Sequence, residues 1–383
     1  MTQTTYTDKE APAAAQPLRR VIISGGGTGG HIFPALSIAD EIRRRNPDAE
    51  IRFVGACGRM EMERVPAAGY PIEGLAIAGL DRRRPWRNFR VLWMAWKATR
   101  RCRAIVRDFR PEAAIGVGGY ASGPLLKAAQ RAGIPTVLQE QNSYAGVTNK
   151  LLGRRARAVC VAYEGMGRFF PAGKVVLTGN PVRAALRDCA LTPEEARKAL
   201  GFDPSRPLVL VVGGSLGART INQAMASGAA EAIARAGAQA LWQTGKTYAP
   251  AEGTALPEGV KAAPFIADMA TAYRAADVVV SRAGASTISE LQLLGKAAVL
   301  VPSPNVAENH QYHNAMALVK RDAAVLVADA EAHEKLAPAV LGLLAEPARR
   351  EALARNAAAM GRPQATAAIV DIIEDTVQKT HTK

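Results

Sequence analysis

The sequence has 383 residues, a length at which chains usually form two domains and not one core. It is 48% apolar and 5% aromatic, which is typical of an Ala-rich α/β protein and excludes a disordered or fibrous one. Its formal charge of +15 indicates a polyanionic neighbour, either a nucleic acid or an anionic lipid surface.

Targeting and cysteine patterns exclude further classes. Residues 1–18 are polar and rich in Ala and Pro, so they are predicted to be a disordered tail and not a secretory signal. No run of about 18 apolar residues occurs, so we expect no transmembrane helix and a protein that is cytoplasmic or peripheral to a membrane. The four cysteines are scattered without a C-x-x-C pair, which argues against zinc and a disulfide framework.

Strand-like runs alternate with helical patterns from residue 20 onward. In the first half the strand-like runs are RRVIISG, EIRFVGA, AAIGVGG, PTVLQEQ and AVCVAY. After GNPVRAALRD the pattern restarts, with RPLVLVVGG, ALWQTG, ADVVVS and AAVLVPS. This rhythm predicts two α/β halves with parallel sheets, joined near residues 180–184. Ligands should bind at the turns that follow the strands.

Three glycine-rich turns follow predicted strands. The first, GGGTGGH at 25–31, satisfies G-x-G-x-x-G, but the second strand ends in Gly55, Ala56 and Cys57, without the acidic residue of a dinucleotide site. An NAD enzyme is therefore not expected. The other turns, at 117–124 and 212–219, lack the GK[ST] of a P-loop, which argues against a kinase or an ATPase, and we expect no cofactor. Such turns expose N–H groups to anions and indicate two anionic ligands. The alternative is that some glycines only permit tight packing.

Residues 82–110 carry eleven Lys or Arg against one acidic residue, and three of the four tryptophans. Four of their apolar residues fall at helical spacing, namely Phe89, Leu92, Trp93 and Trp96. This predicts an amphipathic face on an anionic membrane, with Trp86 and Phe89 as contacts. The alternative, for the residues after Val91, is a core helix whose aromatic stripe packs inward. Nucleic-acid binding is not expected, because no RRM, KH or helix-turn-helix signature is present.

Eight ordered motifs closely resemble those of the MurG family of peptidoglycan glycosyltransferases: GGTGGHIFPA, GVGGYASGP, QEQNSYAGVTNK, GNPVR, GGSLGAR, FIADM, RAGASTISE and NHQYHNA. The resemblance spans roughly residues 20–375. It implies an inverting enzyme that moves GlcNAc from UDP-GlcNAc to the C4 hydroxyl of MurNAc in lipid I, giving lipid II. Two alternatives stay open, a related transferase with another lipid acceptor such as diacylglycerol, and a non-enzymatic module that binds nucleotide sugar and anionic lipid.

The resemblance also implies a GT-B fold, with two Rossmann-like domains facing across a cleft. Residues 19–182 would bind the acceptor and the membrane, and residues 183–361 would bind UDP-GlcNAc. The last helix, 362–383, would pack back on the first domain. The expected location is the cytoplasmic face of the cell membrane, against anionic lipid of the inner leaflet. Other proteins of cell-wall synthesis are expected partners.

The resemblance assigns roles to residues of the donor motifs. The backbone of Ile266 would bind the uracil edge, and Glu290, in the first turn of its helix, would accept from the ribose hydroxyls. The alternative for Glu290 is a favourable charge at a helix N-terminus. Ser215 and Arg183 would hold the diphosphate, and Gln311 would donate to and accept from the GlcNAc hydroxyls. The implied UDP-GlcNAc contacts are completed by Thr28, Gly29, Gly30, Asn142, Ala285, Ser286 and Thr287. We leave the role of His310 open.

His31 is the candidate general base, because histidine has an unperturbed pKa suited to taking a hydroxyl proton near neutral pH. The alternatives are that His31 caps a helix or donates to a phosphate, and that a carboxylate such as Glu140 is the base. The sequence contains no Asp-x-Asp motif, so we expect no obligatory metal. The acceptor diphosphate is expected to bind the first two glycine turns, at Gly26, Gly27, Gly118, Gly119 and Tyr120.

Overall fold

The computed structural model describes residues 4–5, 17–77, 88–214, 217–246, 248 and 255–381. The chain divides into two compact units. Unit 1 comprises Met1–Val182 and Arg362–Lys383, and unit 2 comprises Arg183–Gly361. Each unit contains one parallel sheet with helices, so the predicted pair of α/β domains is confirmed.

Unit 1 is built on an eight-stranded parallel sheet in the order β1-β8-β7-β6-β5-β2-β3-β4. Its strands are β1 (Thr4–Thr5), β2 (Arg20–Gly25), β3 (Glu50–Ala56), β4 (Ile72–Leu75), β5 (Ala113–Gly118), β6 (Thr136–Glu140), β7 (Ala158–Val161) and β8 (Val175–Leu177). Its first helices are α1 (Gly29–Arg45), α2 (Glu61–Ala67), α3 (Asn88–Phe109), α4 (Ser122–Arg131) and α5 (Val147–Gly153). Every residue of β5, β6 and β7 is buried, as expected of parallel strands covered on both faces.

Unit 2 is built on a six-stranded parallel sheet in the order β11-β10-β9-β12-β13-β14. Its strands are β9 (Leu208–Val212), β10 (Gln239–Gln243), β11 (Val260–Ala263), β12 (Val278–Ser281), β13 (Ala298–Leu300) and β14 (Val325–Leu326). Its helices are α6 (Ala184–Arg187), α7 (Pro193–Ala199), α8 (Arg219–Ala224), α9 (Ala230–Arg235), α10 (Met269–Ala275), α11 (Ala285–Leu294), α12 (His310–Val319), α13 (Ala332–Ala345) and α14 (Pro347–Met360). The buried Trp242 donates from Nε1 to Asn222 Oδ1 at 3.0 Å, which satisfies its only donor.

The last helix, α15 (Ala365–His381), packs on α1 within unit 1. Arg45 of α1 donates to Asp371 at 2.6 Å and to Glu374 at 2.8 Å, and also pairs with Glu41 at 2.8 Å. Burial raises the pKa of Glu374 above its usual value, although Arg45 acts in the opposite direction. The guanidinium therefore neutralises carboxylates that the packing of the two helices partly removes from water.

The predicted disordered tail, residues 1–18, falls largely outside the described residues. Thr4–Thr5 nevertheless pair with β8 as a parallel strand, and Leu18 is only 2% exposed. The expectation therefore differs from the structure at these three residues. The reason is that β8 has an edge to which a short strand can bond, and Leu18 joins the unit 1 core.

Both sheets reverse their strand order beside their first long strand. Counted from β2 and from β9, each contains the order 3-2-1-4-5-6 of a Rossmann-like sheet. The reversal lies between β2 and β5 in unit 1, and between β9 and β12 in unit 2. Because connections leave such a pair of strands toward opposite faces, a crevice opens at their carboxyl ends. The glycine turns occupy these positions.

Candidate functional site

The first two glycine turns meet at the reversal point of unit 1. The Gly26 N–H donates to the Gly118 carbonyl at 3.3 Å. Gly119 has a φ of +90°, and a Cβ there would lie 2.5 Å from the Gly26 carbonyl oxygen. Only glycine permits this approach and this backbone conformation. The turns expected to act together are therefore in direct contact.

His31 lies in the first turn of α1, beside both turns. Its Nδ1 is 3.0 Å from the Gly26 carbonyl oxygen and 3.5 Å from Thr28 Oγ1. A carbonyl only accepts, so this contact assigns the proton to Nδ1 and the lone pair to Nε2. A Cβ on Gly118, where φ is +110°, would lie 2.7 Å from Nε2. Because residue 118 is glycine, there is space beside it for His31 Nε2, the nitrogen that can act as a base.

The amides of Gly26 and Gly27, expected to hold a diphosphate, both have protein acceptors. Gly27 N–H donates at 2.9 Å to Oε2 of Glu61, a residue that is 1% exposed. The expectation needs correction here, because a buried carboxylate and the Gly118 carbonyl occupy these donors. Among the described residues, the amides of Gly29 and Gly30 have no recorded acceptor, and they lie at the start of α1, where N–H groups attract anions.

Glu61 is a residue that sequence reasoning missed. Glu61 lies four residues beyond Cys57, outside the strand end at which a dinucleotide site would carry its acidic residue. Glu61 begins α2, and its carboxylate lies under the glycine turn, where the hydrogen bond to Gly27 holds it. An acidic residue at a helix start shortly after a strand was the available signal.

Tyr120 and Arg59 line the outer side of the second glycine turn. Tyr120 is 47% exposed, and the Arg59 guanidinium lies 5.9 Å from its ring centroid. Ser122, at the start of α4, donates to the Gly118 carbonyl at 2.8 Å and so fixes the turn from below. Arg59 is a second residue that sequence reasoning missed, and it adds a cation beside a predicted diphosphate site.

Glu140, the alternative base, is a structural carboxylate. It is 2% exposed and accepts four hydrogen bonds, from the Asn142 backbone and side chain, Gly146 N and Asn149 Nδ2. These bonds use both oxygens and order the loop that follows β6. The arrangement therefore favours His31 over Glu140 as the base, and it orients Asn142.

In unit 2, Ser215 of the predicted diphosphate turn lies outside the described residues. The second predicted donor loop, Ala285 to Thr287, begins α11 directly after β12. Ser286 Oγ is buried and has no hydrogen-bond partner in the part of the chain that the structure describes. An orphaned buried hydroxyl carries a free-energy cost, which a polar ligand group at this helix start would remove.

Arg183 and Glu290, both predicted donor residues, are neighbours. Glu290 Oε1 lies 3.5 Å from an Arg183 guanidinium nitrogen, and its Oε2 accepts from the Tyr273 hydroxyl at 2.9 Å. Burial raises the pKa of the Glu290 carboxyl above its usual value, while Arg183 and Tyr273 act to lower it. Glu290 lies in the second turn of α11 and not in the first, so the helix N-terminus does not account for it.

Gln243 connects the two loops of the donor motifs. Its Oε1 accepts from the Ile266 N–H at 3.0 Å, and its Nε2 donates to the Gly214 carbonyl at 3.0 Å. The Ile266 amide is thus occupied, which leaves its carbonyl as the backbone group for a base edge. Gln243 ends the buried strand β10, and a polar residue in that position was the missed signal.

Gln311 is the second residue of α12, which is preceded by two residues with positive φ, Glu308 at +56° and Asn309 at +48°. Its Oε1 accepts from Ser303 N–H at 2.8 Å. The side chain therefore keeps its two N–H donors for a sugar hydroxyl, while the acceptor role that was also expected is already taken.

The basic helix α3 exposes two tryptophans. Trp93 is 55% and Trp96 is 58% exposed, and Lys97 Nζ lies 3.7 Å from the Trp93 ring centroid. The alternative of an inward aromatic stripe is therefore wrong for Trp93 and Trp96. The buried face of α3 is formed by Ala98, Cys102, Ile105, Val106 and, at its last residue, Phe109. Trp86 and the side chain of Phe89 lie outside the described residues.

Two kinds of feature are absent from the described residues. None of their helices is long and apolar enough to cross a membrane. No group of three or more His, Cys, Asp or Glu side chains in the described ranges could hold a metal ion.

Known proteins resemble this chain over most of its length. Residues 21–161 match the glycosyltransferase family 28 N-terminal domain, and residues 208–370 match the family 28 C-terminal domain. The chain is 55% identical to the UDP-N-acetylglucosamine–N-acetylmuramyl-(pentapeptide) pyrophosphoryl-undecaprenol N-acetylglucosamine transferase of Phocaeicola vulgatus, over 88% of this chain and 91% of that protein. It is 53% identical to the protein of the same name from Porphyromonas gingivalis W83, over 94% and 96% of the two chains.

Solved structures agree with these matches. The crystal structure of MurG from Acinetobacter baumannii has a TM-score of 0.74 and 28% identity, covering 94% of this chain and 100% of that one. The calicheamicin glycosyltransferase CalG4 has a TM-score of 0.68 at 16% identity, over 95% of this chain and 99% of that one, which shows the fold alone. The predicted GT-B class and the resemblance to the MurG family are confirmed.

Proposed function

The chain belongs to glycosyltransferase family 28, and from that premise we propose that it transfers GlcNAc from UDP-GlcNAc to lipid I, giving lipid II. The proposal rests on sequence identities of 55% and 53% with transferases whose names state this donor sugar and this lipid-linked acceptor. A diacylglycerol acceptor is not favoured, because those relatives cover nearly the whole chain.

On the acceptor side, His31 takes the proton. The C4 hydroxyl of MurNAc attacks the anomeric carbon of GlcNAc, and its proton passes to His31 Nε2, the nitrogen that carries the lone pair. A new C–O bond forms as the bond to the UDP oxygen breaks, with inversion. We assign the acceptor diphosphate to the turn at Gly119 and Tyr120, with Arg59 as the adjacent cation.

On the donor side, Arg183 stabilises the negative charge on departing UDP, together with Ser215 and the N–H groups of the glycine turn. Glu290 accepts hydrogen bonds from the ribose, and the Ile266 carbonyl accepts from the uracil N–H. Ser286, with its orphaned hydroxyl, binds the donor at the start of α11. Gln311 donates to the sugar.

The test is transfer of radiolabelled GlcNAc from UDP-GlcNAc to a short-chain lipid I analogue. UDP-glucose and a diacylglycerol acceptor are the controls. We expect product only with UDP-GlcNAc and the lipid I analogue. Tight binding of UDP-GlcNAc without transfer would mean that the acceptor is assigned wrongly.

Gly118→Ala should lower kcat by about 10- to 100-fold, because the new Cβ would displace the His31 imidazole. Gly133→Ala is the matched control, since Gly133 also has a positive φ, +77°, but its Cβ would meet nothing within 4 Å. Both variants should lose about 1–2 kcal/mol of stability to backbone strain. Steady-state kinetics and urea unfolding measure the two effects. Equal kcat values for the two variants would contradict this view of His31.

We also assign the membrane contact to the region around α3, on the inner leaflet at the cytoplasmic face. Exposed indole rings flanked by Lys and Arg suit the interface of an anionic bilayer. Trp93 and Trp96 carry this assignment among the described residues, and Trp86 and Phe89 remain predicted contacts. Association with other proteins of cell-wall synthesis likewise stays a prediction of the resemblance.

Trp93→Ser with Trp96→Ser should weaken binding to anionic vesicles by about 10-fold or more, because two interfacial aromatic side chains are lost. Tyr312→Ser, which removes an exposed aromatic ring from unit 2, should leave binding unchanged. Sedimentation with phosphatidylglycerol vesicles at two salt concentrations measures both variants. Unchanged partitioning of the double variant would move the contact to another surface.

A further inference from the structure

We propose that Glu61 is a positioning residue for His31, and that it acts through the peptide group between Gly26 and Gly27. The inference rests on the proposed function, in which His31 takes the acceptor proton. It adds a carboxylate to the proton-transfer site that no motif of the resemblance contains.

The first observation is where the Glu61 carboxylate lies. It is 1% exposed, and each of its oxygens accepts one backbone N–H, from Gly27 at 2.9 Å and from Ala56 at 3.0 Å. A Cβ on Gly26 would come 2.2 Å from Glu61 Oε1. The carboxylate is therefore packed directly behind the turn, and it is one reason why position 26 must be glycine.

The second observation is that one peptide group joins Glu61 to His31. The N–H of Gly27 donates to Glu61, and the carbonyl of Gly26, in the same peptide group, accepts from His31 Nδ1–H at 3.0 Å. Resonance couples the two ends of a peptide group. A carboxylate on the N–H side therefore raises the electron density on the carbonyl oxygen and strengthens the bond that His31 donates.

Two consequences follow for His31. The stronger Nδ1–H bond holds the tautomer in which Nε2 carries the lone pair, as an orienting group must for a histidine base. The negative charge behind the peptide group also stabilises the imidazolium that forms when the proton is taken. Glu61 thus acts on His31 as the carboxylate of a carboxylate–histidine pair does, but through an intervening peptide group.

The Glu61 carboxylate is buried without a partner of opposite charge among the described residues. Within the described ranges the carboxylate has no ion-pair partner, and its recorded bonds are the two to backbone amides. Burial of a carboxylate without a counter-charge is unfavourable. A purely structural role would be to accept hydrogen bonds from two backbone amides. Such a role predicts no effect of Glu61 on His31, so the two roles can be separated by experiment.

Other titratable groups lie on the elements around the two glycine turns. The elements packed against these turns carry titratable groups of both signs, among them Asp40 and Arg43 on α1, Arg52 on β3, and Glu63 and Arg64 on α2. Among the described residues, the Glu61 carboxylate bonds to the backbone N–H groups of Gly27 and Ala56 and not to any of these side chains. Because Glu61 and His31 bond to the two ends of one peptide group, removal of the Glu61 charge should alter the titration of His31.

The test is Glu61→Gln, with Glu63→Gln as the matched control from the exposed face of α2. Glutamine keeps the shape but has one acceptor oxygen, so one amide loses its partner and the charge is removed. We expect kcat to fall about 10-fold and the acidic limb of kcat/KM against pH to move about half a unit lower, because the imidazolium loses its stabilising charge. Glu63→Gln should change neither.

A double-variant cycle separates positioning from a structural role. In a His31→Ala background, Glu61→Gln should cause no further loss of kcat, because its effect passes through His31. The same fold loss in both backgrounds, or an unmoved acidic limb, overturns the proposal. If Glu61→Gln does not fold, Glu61→Asp keeps the charge and should keep the acidic limb of the parent enzyme. A limb displaced to lower pH in Glu61→Asp would overturn the proposal instead.

Failure of the proposed function has a different signature. Full transfer by His31→Ala would contradict the base assignment itself, whatever Glu61→Gln does. A strong loss in His31→Ala combined with an additive effect of Glu61→Gln would overturn the role of Glu61 alone.

Discussion

His31→Ala should lower kcat for GlcNAc transfer by about 10²–10⁴-fold, the usual contribution of a positioned general base. The affinity for UDP-GlcNAc should fall much less than kcat, because the residues assigned to uracil, ribose and diphosphate belong to unit 2. Only contacts to the sugar, such as Thr28, are predicted in unit 1. Single-turnover transfer measures the first quantity, and calorimetric titration with UDP-GlcNAc measures the second. The same kcat for variant and parent would show that another group takes the proton.

His333→Ala is the matched control for this experiment. His333 is exposed at the start of α13, far along the chain from the glycine turns, and its removal should leave kcat unchanged. Glu140→Gln provides a second comparison, because the structure gives Glu140 a loop-ordering role. Its variant should lose stability, since four hydrogen bonds end on this carboxylate.

Glu290→Gln should weaken UDP-GlcNAc binding by about 10- to 100-fold without lowering the melting temperature of the ligand-free protein. The affinity falls because hydrogen bonds to an ionised acceptor, worth about 1.5–3 kcal/mol, are replaced by weaker ones. The melting temperature should rise, because burial raises the pKa of this carboxyl and its ionised form is therefore unfavourable in the folded chain.

The sign of the pH dependence follows from the raised pKa. A carboxyl with a higher pKa in the folded state contributes stability at low pH and loses it as pH rises through the folded-state pKa. The gain in melting temperature from Glu290→Gln should therefore be larger at pH 8 than at pH 5. Glu334→Gln, an exposed change in α13, should show neither the affinity loss nor the gain. A lower melting temperature for Glu290→Gln at pH 8 would contradict the account.

Much of the fold could be predicted from local pattern. The strand-like runs ending at Gly25, Gly118 and Val212 are strands, and each is followed by a glycine turn. These features depend on near neighbours in the chain: apolar runs mark buried parallel strands, and glycine marks backbone that other residues cannot adopt. The order of the motifs also identified the family.

The partners of individual groups could not be predicted in the same way. Trp93 and Trp96 have the spacing of a helix stripe, but spacing alone does not say which side of an amphipathic helix faces water. Gln243 appears in sequence only as a polar end to a buried strand. Its bonds to Ile266 and Gly214 depend on which loops the sheet brings beside it.

The sequence by itself determined the two parallel α/β halves, the glycine turns, the family and the identity of His31 as the candidate base. Only the tertiary structure decided what surrounds that base. The contact between Gly27 and Glu61 joins residues 34 positions apart, and the contact between Gly26 and Gly118 depends on β2 lying beside β5. Strand order is set by the packing of the whole sheet. Local sequence patterns therefore do not show which carboxylate contacts which glycine turn.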